Sequence, residues 1–116
     1  MQVTEIILRN LPKLSLNSIY AGLHWTKRKR LKDAFYLIIK SQFKTVFPKT
    51  DRYTVSYEIV SKNGIPCDAT NLSYTVKMVE DVIFEDDKWD IITQVCLSSR
   101  KGDDDYVKVT VTTLDK

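Results

Sequence analysis

Over residues 52–60 the chain alternates without interruption, with Tyr53, Val55, Tyr57 and Ile59 on one side and Thr54, Ser56 and Glu58 on the other. Successive side chains of an extended strand point to opposite faces, so this pattern demands a sheet with one apolar and one polar face. Helical spacing flanks it on both sides. Before it, Leu31, Phe35, Ile38, Ile39, Phe43 and Val46 form one apolar stripe that begins after Thr26, a suitable N-cap, and is limited by Pro48. After it, beyond the turn Ser61-Lys62-Asn63-Gly64, Leu72, Val76, Val79 and Ile83 predict a second helix over about residues 71–84. Residues 3–9 are β-rich and lead into a loop with Asn10, Pro12, Ser15 and Asn17. The β-branched runs 91–98 and 106–114, joined by Ser99-Arg100-Lys101-Gly102-Asp103-Asp104-Asp105, predict an antiparallel hairpin. The order is β-α-β-α-β-β. It implies an α+β fold in which two helices cover one face of a small mixed β-sheet.

A chain of 116 residues, 43% hydrophobic, suits one core, so a single domain over residues 1–116 is expected. No apolar run approaches the roughly 20 residues of a membrane span. The first residues lack the basic start and apolar stretch of a signal peptide, so no membrane partner and a cytoplasmic location are expected. Cys67 and Cys96 are too few for a disulfide framework and are not spaced as a zinc motif, which points to reduced thiols.

The net charge of +3 conceals a division. Residues 1–50 hold ten Lys or Arg against two acids, and residues 51–116 hold eight against thirteen. A basic surface suits a polyphosphate and an acidic cluster suits a hard divalent cation. The basic half is densest at Lys27-Arg28-Lys29-Arg30-Leu31-Lys32, at the start of the first helix. The helix dipole disfavours cations there, so these residues are not a device for helix stability. They form either a solvated helix face or a phosphate contact, and phosphate contact is independent of sequence and sensitive to salt. Tyr20, His24 and Trp25 precede the run and offer rings that stack on bases or pack the loop.

The acidic half is most informative at Asp68-Ala69-Thr70-Asn71-Leu72, then at Lys77 within the second helix, then at Glu85-Asp86-Asp87-Lys88. A D-x-D-N-L motif opening a helix, a lysine inside it and a D-D pair after it resemble the RusA family of Holliday-junction resolvases, often carried by prophages. Leu14-Ser15-Leu16-Asn17-Ser18-Ile19-Tyr20 is similar to that family's early S-x-N-x-x-Y segment, which also precedes a basic stretch and a helix. The resemblance runs from about residue 6 to 112. It implies a magnesium-dependent endonuclease, with Mn²⁺ as a possible substitute, that resolves four-way DNA junctions in recombination and repair. Asp68, Asp86 and Asp87 would bind the metal, Lys77 would join them in catalysis, and Asn17, Tyr20, Lys27, Arg28, Lys29, Arg30 and Lys32 would meet DNA.

One position departs from the family. Thr70 stands where the second aspartate of the D-x-D pair belongs, so the site has one carboxylate fewer, and Asp86 is the nearest candidate to compensate. Two rivals follow: a DNA-binding protein of the same fold without catalysis, and a protein-protein module whose basic helix meets an acidic partner. The acids of Asp103-Asp104-Asp105 read as a charged turn.

A homodimer is expected, because resolution cuts two strands of like polarity and a two-fold enzyme offers two equivalent sites. A straight helix over 71–84 would hold Asp68 and Asp87 roughly 20 Å apart. Either that helix is short or broken, or the chain after Phe84 folds back, or each site draws on both subunits.

Overall fold

The computed structural model describes residues 2–11, 25–62 and 73–114, with backbone alone at 25–28 and 73–74. Its elements are β1 (Gln2–Leu8), α1 (Trp25–Gln42), β2 (Arg52–Ser61), α2 (Ser73–Ile83), β3 (Ile92–Lys101) and β4 (Tyr106–Leu114). The order expected from sequence is the order found. The strands form one mixed sheet, β1-β4-β2-β3, in which β2 and β3 are the parallel pair of neighbours and β4 runs against the other three. Parallel neighbours need a long crossover, and the segment containing α2 supplies it.

The alternation in β2 does what its pattern requires. Tyr53, Val55 and Tyr57 are buried against the helices, beside Val107, Val109 and Val111 of β4 and Ile6 and Leu8 of β1. From α1, Phe35 and Ile39 enter this core, with Leu31 and Phe43 packed at its margin. From α2 come Val76, Val79 and Ile83, as expected, and also Met78 and Val82. Thr75 and Glu80 are buried too, so α2 is covered on most of its circumference and exposes Lys77 and Asp81. Leu72 lies outside the described residues. The other side of the sheet is polar, with Thr54, Ser56, Thr110 and Thr112 on its two central strands.

The expected hairpin of the last two strands does not form. β3 and β4 run in opposite directions, yet β4 lies between β1 and β2 while β3 takes the outer edge. The connection 102–105 passes over the end of β2, where the Gly102 N–H donates to the Ser61 carbonyl at 3.0 Å and the Lys62 N–H donates to Asp105 Oδ1 at 2.7 Å. A Cβ on Gly102 would stand 2.5 Å from Val60 Cγ1, so a residue without a side chain is needed at this crossing. Two strand spacings are only about 10 Å, within reach of four residues. A run, a turn and a run therefore encode either arrangement. The fully buried face of β4 decides for the centre of the sheet.

α1 also stops earlier than its stripe suggested. It ends at Gln42, and Val46 is exposed. Gln42 holds the end of β1, accepting from the Arg9 N–H and donating to the Arg9 carbonyl, both at 2.7 Å. Phe47 then pairs with the end of α2: its N–H donates to the Ile83 carbonyl at 2.8 Å and its carbonyl accepts from the Glu85 N–H at 3.0 Å. Phe43, Phe47, Tyr53 and Phe84 stack around this junction at centroid distances of 5.2 to 5.8 Å. That anchor fixes where the chain after α2 begins.

Candidate functional site

Lys77 is in the middle of α2, and Asp87 is four residues beyond its end. A continuing helix would carry Asp87 about 15 Å along the axis from Lys77. Instead the Lys77 ammonium contacts the Asp87 carboxylate and lies 3.3 Å from Asp81 Oδ1. The chain after Phe84 has folded back along the helix, which is one of the three arrangements left open by the sequence. The turn is held by its own bonds: the Lys88 N–H donates to Asp86 Oδ1 at 3.2 Å, and the Lys88 carbonyl accepts from the N–H groups of Ile91 and Ile92 at 2.9 Å each.

Two acids pair with the ammonium, and a third lies on the buried side of the same helix. Asp81 reaches the ammonium by the i,i+4 spacing of the helix, and Asp87 by the fold-back. Glu80 is 9% exposed, and its Oε1 accepts a 3.2 Å hydrogen bond from the Tyr57 hydroxyl beneath it on the sheet. Burial holds the Glu80 carboxyl above its ordinary range; the Tyr57 bond opposes this and the Asp87 charge adds to it. Burial likewise pushes the Tyr57 hydroxyl up, helped by Glu80. The hydrogen bond to Asp87 raises the Lys77 ammonium, so it stays a cation.

The expected ligands divide. Asp87 faces Lys77, whereas Asp86 Oδ2 turns to Lys88 Nζ at 3.7 Å. Asp68 lies outside the described residues, as do Thr70 and Asn71. Both described carboxylates offer the hard oxygen donors that magnesium takes, and each is now satisfied by a lysine. Among the described residues no three Asp, Glu, Cys or His side chains converge on one point.

Of the expected DNA contacts, Lys29, Arg30 and Lys32 are exposed on α1, and they make no ion pair among the described residues. Lys27 and Arg28 belong to the helix backbone, and their side chains lie outside the described part, as do Asn17, Tyr20 and His24 entirely. α1 has no acid in its first turn to neutralise this cluster. Two of the acids at 103–105, Asp104 and Asp105, have structural partners. Asp104 meets the Arg9 guanidinium, and the Asp105 N–H donates to its Oδ1 at 2.8 Å; both interactions hold its carboxyl below the usual range. A cavity of about 280 Å³ near Phe43, Pro48 and Tyr53 touches none of the site residues.

Sequence reasoning passed over Glu80, Asp81, Tyr57 and Trp89. Glu80 had a legible signal: residues 76, 79, 80 and 83 share the buried face of a helix, so an acid stands in an apolar stripe. Asp81 had one in its spacing from Lys77. Trp89, 87% exposed on the turn after Asp87, had none, because exposure of a single aromatic is not written in its neighbours. No family model matches this chain, and no curated protein matches it. No described helix is long and apolar enough to cross a membrane.

Proposed function

We propose that this chain is a magnesium-dependent, structure-selective endonuclease that cuts four-way DNA junctions in recombination and repair, working as a cytoplasmic homodimer. The observation that carries this reading is the fold-back of Asp87 onto Lys77. It brings an acidic residue from beyond the end of α2 back beside Glu80 and Asp81, so that a carboxylate from the segment before Ser73 has less than the full reach to that residue to span in sharing a ligand with it. The resemblance assigns that partner carboxylate to Asp68.

A divalent cation at such a site would supply the positive charge that draws electron density from the scissile phosphate. Asp87 and Asp86 would hold it, and Lys77, released from Asp87 by the arriving cation, would turn to a phosphate oxygen. Tyr57 and Glu80 form the floor and fix the helix against the sheet. Lys29, Arg30 and Lys32 would hold the DNA backbone at positions independent of base sequence.

A second reading has an observation of its own. Lys77 and Lys88 occupy the two described aspartates, and Thr70 removes a carboxylate, which favours a junction-binding protein without catalysis. Incubating the chain with labelled four-way junctions and Mg²⁺ or Mn²⁺ separates the two. The nuclease reading expects paired cuts near the branch point that vanish with a chelator. A specific gel shift without cuts would install the second reading, and no preference for junction over excess linear duplex would remove both.

A further inference from the structure

β3 is an edge strand of ten residues, and from Ile92 to Ser98 it contains no charge, no proline and no glycine. Edge strands carry unpaired backbone N–H and C=O groups, and proteins guard them with charges, prolines, bulges or a covering element. The opposite edge, β1, has Glu5 at its centre, with Lys108 Nζ 3.6 Å away on β4. β3 has one bulge, at its beginning, where the register shifts between Tyr53 and Thr54 of β2. From Gln94 onward its pairing with β2 is regular, so the outer edge is straight. Among the described residues nothing covers it: Gln94, Val95, Cys96 and Ser98 are exposed, Val95 by 43%.

We infer that this edge is the homodimer interface, with β3 of one protomer pairing antiparallel with β3 of a second copy across a two-fold axis near Cys96. The inference rests on the homodimer in the functional reading above and assigns it a surface. Charge supports an identical partner in this orientation. Asp86 and Asp87 are taken by Lys88 and Lys77, and Arg100 by Glu58. The exposed Asp90 precedes the strand and the exposed Lys101 closes it, so antiparallel pairing lays each Asp90 near the partner's Lys101. A parallel arrangement would set like against like. The product is an eight-stranded sheet with all four helices on one side and both Lys77–Asp87 sites on that side as well.

The size of the contact sets its strength. One strand pair buries less than the roughly 1,600 Å² of a standard interface, so dissociation in the micromolar range is expected. With a spacing of about 4.8 Å between strands and about 3.4 Å per residue along them, an axis at Cys96 or one residue from it leaves the two Cys96 positions roughly 5 to 9 Å apart.

The test needs no DNA. Sedimentation of the full chain should show a monomer–dimer equilibrium over micromolar to hundreds of micromolar protein, and a short bis-maleimide should join Cys96 to Cys96 in Cys67→Ser protein. Cys96→Lys and Cys96→Glu should each be monomeric, since like charges would face each other, and an equimolar mixture should regain dimer. Recovery in the mixture excludes misfolding as the cause of either loss. A chain that stays monomeric throughout overturns the inference together with the dimer of the functional reading. A dimer that resists both substitutions and yields no Cys96 cross-link overturns the inference alone. Loss of the nuclease reading would leave these readouts unchanged.

Discussion

The two helices share one sheet and treat charge in opposite ways. α1 buries a narrow stripe, Phe35 and Ile39 with Leu31 at its margin, and leaves Lys29, Arg30 and Lys32 in water without acidic partners among the described residues. α2 is buried nearly all round, and its charged residues interlock: Lys77 with Asp81 and Asp87, and Glu80 with Tyr57. Exposed cations of one sign make a surface that acts at a distance on a polyanion, and their removal changes binding more than folding. Charges held in a partly buried cluster are tied to one geometry, and their removal changes chemistry and stability together. α1 therefore carries an open cationic surface and α2 an interlocked cluster.

The sharpest way to break that contrast is to place an acid on each helix. Val79 is fully buried on α2, and Val79→Asp leaves a carboxylate without water or partner, at an expected cost above about 4 kcal/mol, enough to unfold a domain of this size. Leu37, 69% exposed on α1, accepts Leu37→Asp within about 0.5 kcal/mol. Urea unfolding followed by far-ultraviolet dichroism measures both, and equal costs would dissolve the distinction between a covered and an open helix.

Next in size is Asp87→Asn. It removes the acceptor of Lys77 and a proposed metal ligand while keeping the shape of the side chain. Cleavage of four-way junctions is expected to fall at least roughly 100-fold while the gel shift stays, because affinity is assigned to α1. Thr70→Asp, which supplies the carboxylate that the resemblance expects there, is expected to raise Mg²⁺ affinity and cleavage together. If Asp87→Asn abolished binding and left the residual cutting rate intact, the roles of the two helices would be reversed.

What the sequence could reveal follows the range of its signals. Period-two and helical patterns are written in neighbouring residues, so the elements and their order were readable, and β4 was found to its ends. Placing β4 between β1 and β2 depends on which strand has the most completely buried face, a property of the whole sheet, so local pattern makes β3 and β4 look like neighbours when they are not. Lys77 and Asp87 both stand out in the sequence, but their pairing depends on Phe47 clamping the end of α2 and turning the chain back, which no local pattern encodes. Glu80 stood in plain view as an acid on an apolar helical face. Treating that face as apolar throughout hides it.

Smaller is the expected effect of replacing Lys27, Arg28, Lys29 and Arg30 by neutral residues. Junction affinity should fall roughly tenfold or more at moderate salt, equally for different base sequences, and the slope of log affinity against log salt should flatten by about 0.9 for each phosphate that is no longer neutralised. Filter binding across a salt series reads both. The unfolding midpoint should barely move, since Lys29 and Arg30 are exposed and charges in water contribute little to folding. A large loss of stability with an unchanged salt slope would mean that these cations serve the fold.

The smallest effect isolates the cost of the buried acid on α2. The folded-state pKa of Glu80 is raised, chiefly by burial, so the folded protein holds this proton more tightly than the unfolded chain does. Below the ordinary glutamate range both states are protonated, and the residue costs nothing. As pH rises through that range the unfolded chain ionises first and gains stability relative to the folded one, until the folded carboxyl also ionises and the difference levels off. Stability contributed by neutral Glu80 is therefore present in acid and lost toward neutral pH. Glu80→Gln keeps an oxygen to accept the Tyr57 hydroxyl and never ionises. Its thermal midpoint should match that of the parent near pH 4 and exceed it near pH 8, with the gap opening between. Lys77 offsets part of this cost by its positive charge, so the gain should be modest, and it should grow when Lys77→Met removes that charge from the same background. A gap that is constant with pH would mean that Glu80→Gln acts through packing, and a gap of opposite sign would mean that the Glu80 carboxylate stabilises the fold as an anion among Lys77, Asp81 and Asp87.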